Sequence, residues 1–460
     1  MNNYQPTIGL EIHAELKTRT KMFCDSANDP NEKLPNVNVC PICLGHPGTL
    51  PTINKQAIIN VLRVGLALGG QLTERLEFDR KNYFYPDLPK GYQISQYKNP
   101  LVAGGTLNGV AITRVHLEED TARSIHNDDG GGSLIDFNRA GVPLLELVTE
   151  PVISSAKQAG DFAREFQLLL RYLGASAANM EKGEMRVEAN VSVRLKTENE
   201  KENEKFGVKV EVKNLNSFRA VERAIDYEVK RQIKMLEAGK PVIQETRGWD
   251  ENKGKTFSQR QKESAHDYRY FPEPDLPPVQ IGAVPEFNNL AGTIPELPWQ
   301  KRKRLTQLGF LQKQDVEQIV NDFALAELFD QVAVALEKSE LVKTAANFIL
   351  NDIAGQRRKK PDWPLPTSAH LAEVIRRYQA GEIASPQAKS SLLSGVITKV
   401  AKTESLSDLV SKIIADNLKV VADFRAGKQA ALQYLIGQGM KESKGTANPK
   451  ILEDLFKKKC

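Results

Sequence analysis

Glu184–Arg194, EMRVEANVSVR, alternates without a break: Met185, Val187, Ala189, Val191 and Val193 are apolar, and the residues between them are charged or polar. Period two is the signature of a half-buried strand, because successive side chains leave opposite faces of the backbone. Three other stretches share this grammar. Ile8–Leu16 (IGLEIHAEL) sets Leu10, Ile12 and Ala14 against Glu11, His13 and Glu15. Arg114–Glu118 puts Arg114, His116 and Glu118 on one side and runs directly into Glu119 and Asp120. Val208–Lys213 opposes Val208, Val210 and Val212 to Lys209, Glu211 and Lys213. One apolar and one polar face is the pattern of an antiparallel sheet with helices on one side. The predicted class is therefore α+β, an N-terminal sheet cradle with flanking helices.

Outward from these strands the chain changes character. Seven prolines between Pro272 and Pro298 exclude a continuous helix or central strand there. Beyond them Val316, Ile319, Val320, Phe323 and Leu325 recur at helical spacing, as do residues from Leu341 to Ile353. The expected domains are 1–292, the cradle; 293–405, all helical; and 406–460, a small helical tail. The tail carries ten Lys and Arg against six Asp and Glu, most of the whole chain's formal +5. ENEKENEK at Glu198–Lys205 has the composition of a solvated hairpin tip. Helices are expected over Ile53–Leu68, Asp161–Leu173 and Ser217–Ala238, each running into a glycine.

With 460 residues, 40% hydrophobic and 26% charged, the composition is that of a soluble globular protein of two or three domains. No apolar run approaches the roughly 20 residues of a membrane span, and residues 1–11 lack a signal or transit pattern, so a cytoplasmic protein is expected. Four cysteines are too few for a disulfide framework. Cys24 with the C-x2-C pair Cys40 and Cys43 offers three soft ligands where a closed zinc site needs four. Asp25, His46 and Cys460 are the candidates for the fourth place.

Any single polar strand face is ordinarily just solvated. Four together, rich in carboxylates and holding His13 and His116, would repel one another without a compensating cation. Hard oxygen ligands with an imidazole suit Mg²⁺ or Mn²⁺. Lys81, Lys90, Lys209, Lys213, Arg186 and Arg194 are placed to receive phosphate oxygens. There is no GxxxxGK[ST] loop, and Gly130–Gly132 lack the strand-to-helix context of one, so a bound ATP would lie on the sheet. Phe78–Gln96 (FDRKNYFYPDLPKGYQISQ) mixes aromatics, lysines and prolines as a shaped loop does. Lys213, Asn214 and Asn216 either line the pocket or cap the helix beginning near Ser217.

The segments IGLEIHAELKT, FDRKNYFYPDLPKGYQISQY, HLEEDTARSIH, DFNRAGVPLLELVTEP, MRVEANVSVR, VEVKNLNSF, QETRGWDENKGKT, HDYRYFPEPDLPP and GMKESKGTANPKILEDL closely resemble the B subunits of aspartyl/glutamyl-tRNA(Asn/Gln) amidotransferases, the GatB family, over nearly the whole chain. That resemblance implies a glutamine-hydrolysing carbon–nitrogen ligase. It would work as a heterotrimer with an A subunit, the amidase, and with a small C subunit. The B subunit uses ATP and Mg²⁺ to phosphorylate the side-chain carboxylate of Glu-tRNA(Gln) or Asp-tRNA(Asn), and ammonia then displaces phosphate. The resemblance assigns Glu11, His13 and Glu119 to the metal, whereas alternation favours Glu118 beside His116. A bulge at Glu119 would reconcile the two. The implied pocket also holds Glu188 and Glu211, with Lys81, Lys90 and Lys213 on the phosphate or ammonia side. Ser26 replaces one cysteine of the zinc-bearing members, and the tail resembles the family's YqeY-like, tRNA-contacting domain. The relative GatE carries an inserted domain for which the passage through Pro298 leaves no room. A noncatalytic tRNA-binding protein would not line a sheet face with carboxylates.

Overall fold

A computed structural model describes residues 3–29, 31–126, 132–196, 206–261, 268–396, 403–443, 447 and 449–460. The predicted hairpin tip at 198–205 lies outside them, as do Gly130 and Gly131. The chain forms two compact units, Met1–Pro298 and Trp299–Cys460.

The first unit is built on a ten-stranded sheet. Its long strands are β1 (Tyr4–Glu15), β4 (Val110–Glu119), β5 (Pro143–Thr149), β6 (Met185–Leu195), β7 (Val210–Leu215), β8 (Glu245–Asp250) and β9 (Lys255–Gln261). Two shorter strands, β2 (Asp79–Asn82) and β3 (Tyr92–Ser95), form a separate three-stranded sheet with Phe271–Pro272. The large sheet runs β9–β8–β7–β6–β1–β5–β4, continued by Val102–Ala103 and Gln71–Leu72, with Thr106–Leu107 paired to β4 off this path. All pairings are antiparallel except β7 with β8.

Among the described residues, three α-helices accompany the sheet. Helix α1 is Lys55–Ala67, α2 is Ala156–Tyr172 and α3 is Phe218–Glu237. Helix α2 links β5 to β6, and β1 slots between those two strands. Helix α3 makes the β7-to-β8 connection, the crossover that a parallel pair requires. Asn54, Ser155 and Ser217 cap the three helices through their side chains, so α2 begins at Ala156, five residues before the expected Asp161; Gly69, Gly174 and Gly239 end them at positive φ, as their sequences predict. Ser217, not Asn214 or Asn216, is thus the cap of α3.

The core lies on the apolar side of the alternation. Leu10, Ile12, Val187, Val191, Leu145, Leu147, Val115 and Leu117 are buried, together with Phe162, Phe166, Leu169, Val221 and Ile225 of α2 and α3. Burying a side chain of this size stabilises by about 2 kcal/mol each. The arrangement leaves the opposite face to charged groups.

The second unit is helical throughout its described residues, with short connections. The predicted periodic run divides at Asp322, whose carboxylate accepts from the Leu325 amide and starts a fresh helix, Phe323–Leu336. Leu406, Val410, Ile413, Val421, Leu432, Leu435, Leu452 and Phe456 from the last four helices share one core cluster.

Candidate active site

Register decides what the charged faces do together. Across four strands, His116 of β4 stands opposite Glu146 of β5, Glu146 opposite His13 of β1, and His13 opposite Arg186 of β6. Two residues along β1, Glu188 opposes Glu11, and on the far side Asn190 opposes Glu211. Segments distant in the chain therefore contribute to one acidic floor.

Glu146 is its centre. Its Oε2 lies 3.3 Å from His13 Nε2 and 3.4 Å from His116 Nε2, and its Oε1 lies 3.3 Å from Arg114 Nη2. His13 Nε2 is also 3.6 Å from Glu11 Oε1 and 3.9 Å from Glu118 Oε1. Three sets of donor atoms come within 4.8 Å of one another: Glu11, His13 and Glu146; His116, Glu118 and Glu146; and Glu11, Glu188 and Glu211. The expected Glu11, His13, Glu118, Glu188 and Glu211 are thus brought together.

Glu119 is not. Its Oε1 receives Lys90 Nζ at 2.5 Å and the Ile94 amide at 2.9 Å, and it belongs to none of the three sets. The bulge that would reconcile the two readings is absent: β4 and β5 stay in register from Glu119 to Arg114, and the shift falls only at Val148/Thr149. Without a bulge, neighbouring residues of a strand diverge. Glu118 accordingly turns to His13, its Oε2 held by the Ser95 hydroxyl at 3.1 Å.

Lys213 lies 2.9 Å from Glu188 Oε2 and 3.9 Å from Glu211 Oε2, so it belongs to the pocket rather than to a cap. Glu211 also accepts from the Thr246 hydroxyl at 2.8 Å. Lys81 has no carboxylate within ion-pair distance among the described residues. Its Nζ sits 5.1 Å from the Tyr268 ring centre and 5.8 Å from that of Tyr83. Arg186 is fastened by Nη2 to both oxygens of buried Asp120 at 3.1 Å.

The electrostatics report an excess of negative charge. Burial, with Glu146 and Glu188 close by, pushes the Glu11 carboxyl up to about 7 against the pull of His13 and Lys213. Burial would lower His13, but its hydrogen bond to Glu146 and the fields of Glu146, Glu11 and Glu118 prevail and raise it to about 9. Burial would raise Glu146, yet His116 and His13 hold it well below the usual carboxylate range. For Lys81, desolvation is outweighed by Glu118 and Glu146, so its ammonium is strengthened. Carboxylates crowded on a half-dry face in this way match the donor chemistry of a hard divalent cation.

Glu146 escaped the sequence reading. Its signal was present: it is the one charged residue of PLLELVT, and a lone carboxylate in an otherwise apolar central strand needs a partner.

The cysteines form a separate cluster. Cys24, Cys40 and Cys43 have their sulfurs within 4.8 Å of one another, with Cys40 and Cys43 at 3.8 Å. Neither Asp25 nor His46 joins them among the described residues. The places around Cys43 are taken instead by Ser26 Oγ at 3.9 Å and by the buried Lys21 Nζ at 3.7 Å, which also donates to the Phe137 carbonyl. The hydrogen bond from Cys24, with Lys21 nearby, brings the Cys43 thiol down to about 4. Three soft donors and an ammonium do not make the four-ligand set of a closed structural zinc site.

Comparison with known proteins identifies the family. Residues 6–284 match the GatB/GatE catalytic domain, and residues 327–460 match the GatB domain. The B subunit of the aspartyl/glutamyl-tRNA(Asn/Gln) amidotransferase of Roseiflexus sp. (strain RS-1) is 41% identical over 98% of this chain and 97% of its own. Its counterpart of the same name in Moorella thermoacetica is 41% identical over 99% of each chain. The B subunit of the chloroplastic/mitochondrial glutamyl-tRNA(Gln) amidotransferase of Sorghum bicolor is 41% identical over 99% of this chain and 87% of its own. The chain belongs to the family of tRNA-dependent amidotransferase B subunits.

Proposed function

We propose that the acidic floor is the place where the side-chain carboxylate of a mischarged Glu-tRNA(Gln) or Asp-tRNA(Asn) is phosphorylated by ATP and then amidated. The observation that carries this is the convergence of Glu11, His13, Glu146, Glu188 and Glu211 on one sheet face with Lys81 and Lys213 at its edge. Glu11, His13 and Glu146 are the residues that would hold Mg²⁺ or Mn²⁺. Bound there, the ion supplies positive charge that orients and neutralises phosphoryl oxygens.

The chain's own groups position and screen. Lys81, free of a direct carboxylate contact among the described residues, meets an incoming anion without first losing an ion pair. Lys213 holds Glu188 and Glu211 apart from that anion. Arg186, opposite His13 in the register and locked on Asp120, keeps its charge at the edge of the floor. No protein nucleophile is needed: a substrate carboxylate oxygen attacks the γ-phosphorus as ADP leaves. Ammonia then attacks the carbonyl carbon, phosphate departs and a proton is released. The Lys90–Glu119 pair lies on the proposed ammonia path.

Ammonia would come from a partner amidase, the A subunit, with a small C subunit to complete a heterotrimer. The basic helical tail would touch tRNA phosphates away from the acceptor end. Among the described residues no helix is long and apolar enough to cross a membrane, and we place the work in the cytoplasm.

The test is conversion of Glu-tRNA(Gln) to Gln-tRNA(Gln) by the co-purified complex with free ammonia, ATP and Mg²⁺, beside Glu11→Ala. Free ammonia bypasses the amidase. Loss of conversion in a variant that still assembles supports the reading, and full activity overturns it.

A further inference from the structure

A second concavity adjoins the acidic floor. It has a volume of about 820 Å³ and is walled by the rings of Tyr83, Phe84, Tyr85, Tyr268 and Phe271. That size is within the range of small-ligand sites. Its outer rim is unusually bare: Phe84 is 88% exposed, Tyr85 49% and Phe271 45%. Solvated aromatic surface of this extent is unfavourable unless something covers it.

The cavity is built rather than incidental. Asn82 Nδ2 donates to the Tyr268 and Arg269 carbonyls at 3.2 and 2.9 Å, tying the Tyr268–Phe271 segment to β2. Phe271–Pro272 pairs with Asp79–Arg80, and the Arg80 guanidinium is fixed on Glu273 by bonds of 2.7 and 2.8 Å. Gly91 makes room for Phe84, since a Cβ there would meet its ring at 3.3 Å. Tyr83 meets Tyr85 and Tyr268 edge to face, at 62° and 74°. Edge contacts position rings while leaving faces for another flat group.

Lys81 joins this cavity to the floor. Its ammonium lies near the Tyr83 and Tyr268 rings and in the field of Glu118 and Glu146. Arg269 on the wall adds a cation suited to a phosphodiester.

We propose that this pocket stacks the unpaired terminal base at the acylated 3′ end of the RNA substrate, an inference that rests on the function proposed above. The carboxylate that must reach the floor is esterified to the terminal ribose. Its base therefore comes to rest beside the floor, and on the side marked by Lys81 it meets the Tyr83 and Tyr268 rings. An open rim suits the end of a large molecule, and aromatic stacking holds a splayed-out base without requiring Watson–Crick contacts.

The experiment measures KM for Glu-tRNA(Gln) and for ATP separately, in the ammonia-driven reaction of the co-purified complex, for wild type, Phe84→Ala and Phe84→Trp. Phe84 is so exposed that its truncation leaves folding intact. Phe84→Ala is expected to raise KM for the tRNA about 10- to 100-fold, with KM for ATP unchanged and Phe84→Trp restored. A substrate with an abasic 3′-terminal residue should show the same loss with wild type and no further loss with Phe84→Ala. Three results would overturn the proposal: a rise in KM for ATP alone, loss of the amidase on co-purification, or no change in either KM. A wild-type complex inactive with ammonia would instead refute the function itself.

Discussion

Glu146 serves both imidazoles through a single oxygen, so its charge orients His13 and His116 together. Glu146→Gln keeps the size and removes the charge. It should lower ammonia-dependent conversion by about 100-fold or more, while the glutaminase reaction of the complex is unchanged; equal activity would show that the imidazoles are held by other groups. A second residue-scale consequence concerns stability. Asp120 is buried, and Arg186 and Arg139 outweigh that burial and depress its pKa below the usual 3.8. A depressed carboxyl stabilises the fold fully above its unfolded pKa and loses that contribution as pH falls through the folded value. Asp120→Asn should therefore cost about 3 kcal/mol at neutral pH, and the gap to wild type in denaturant unfolding should narrow below about pH 4. A constant gap across that range would sink the assignment. Glu11, His13 and Glu211 were legible from alternation, because each charged residue sits between buried apolar ones. Glu146 was not singled out although it is the one charged residue of its strand, and the choice between Glu118 and Glu119 stayed open because which neighbour of a Glu-Glu pair faces inward depends on a bulge that only pairing reveals.

At the scale of elements, most boundaries were local matters. Side-chain caps at Asn54, Ser155 and Ser217 and left-handed glycines at the far ends bracket α1, α2 and α3, and these signals act within one helical turn. The cysteine loop is different, since its chemistry depends on what folds against it. With Ser26 Oγ 3.9 Å from Cys43 Sγ, Ser26→Cys would supply a fourth sulfur beside the three already clustered. That variant should retain more zinc than wild type, approaching one ion per chain by metal analysis after identical chelator dialysis. Equal zinc content in the two proteins would mean that position 26 lies outside any metal shell. The Lys21 ammonium in the same cluster had no sequence signal, because nothing about a lysine in TKMFC announces that it is fully buried.

Over the whole molecule, the two compact units divide the labour proposed here. The last four helices share their own apolar cluster. Removal of residues 406–460 should raise KM for tRNA about 10-fold at physiological salt and leave KM for ATP unaltered; a parallel rise in both would place the tail in the chemistry. By itself, the sequence determined the local periods, the helix ends, the charged strand faces and the family, since each is written in residues a few positions apart. Only the tertiary structure decided that β1 lies between β5 and β6, that Glu146 stands between two histidines, and that Glu118 rather than Glu119 faces them. Strand order and register are set by long-range pairing, with β1 bonded to strands more than a hundred residues away. A period of two specifies which face a side chain takes but not which strand lies beside it.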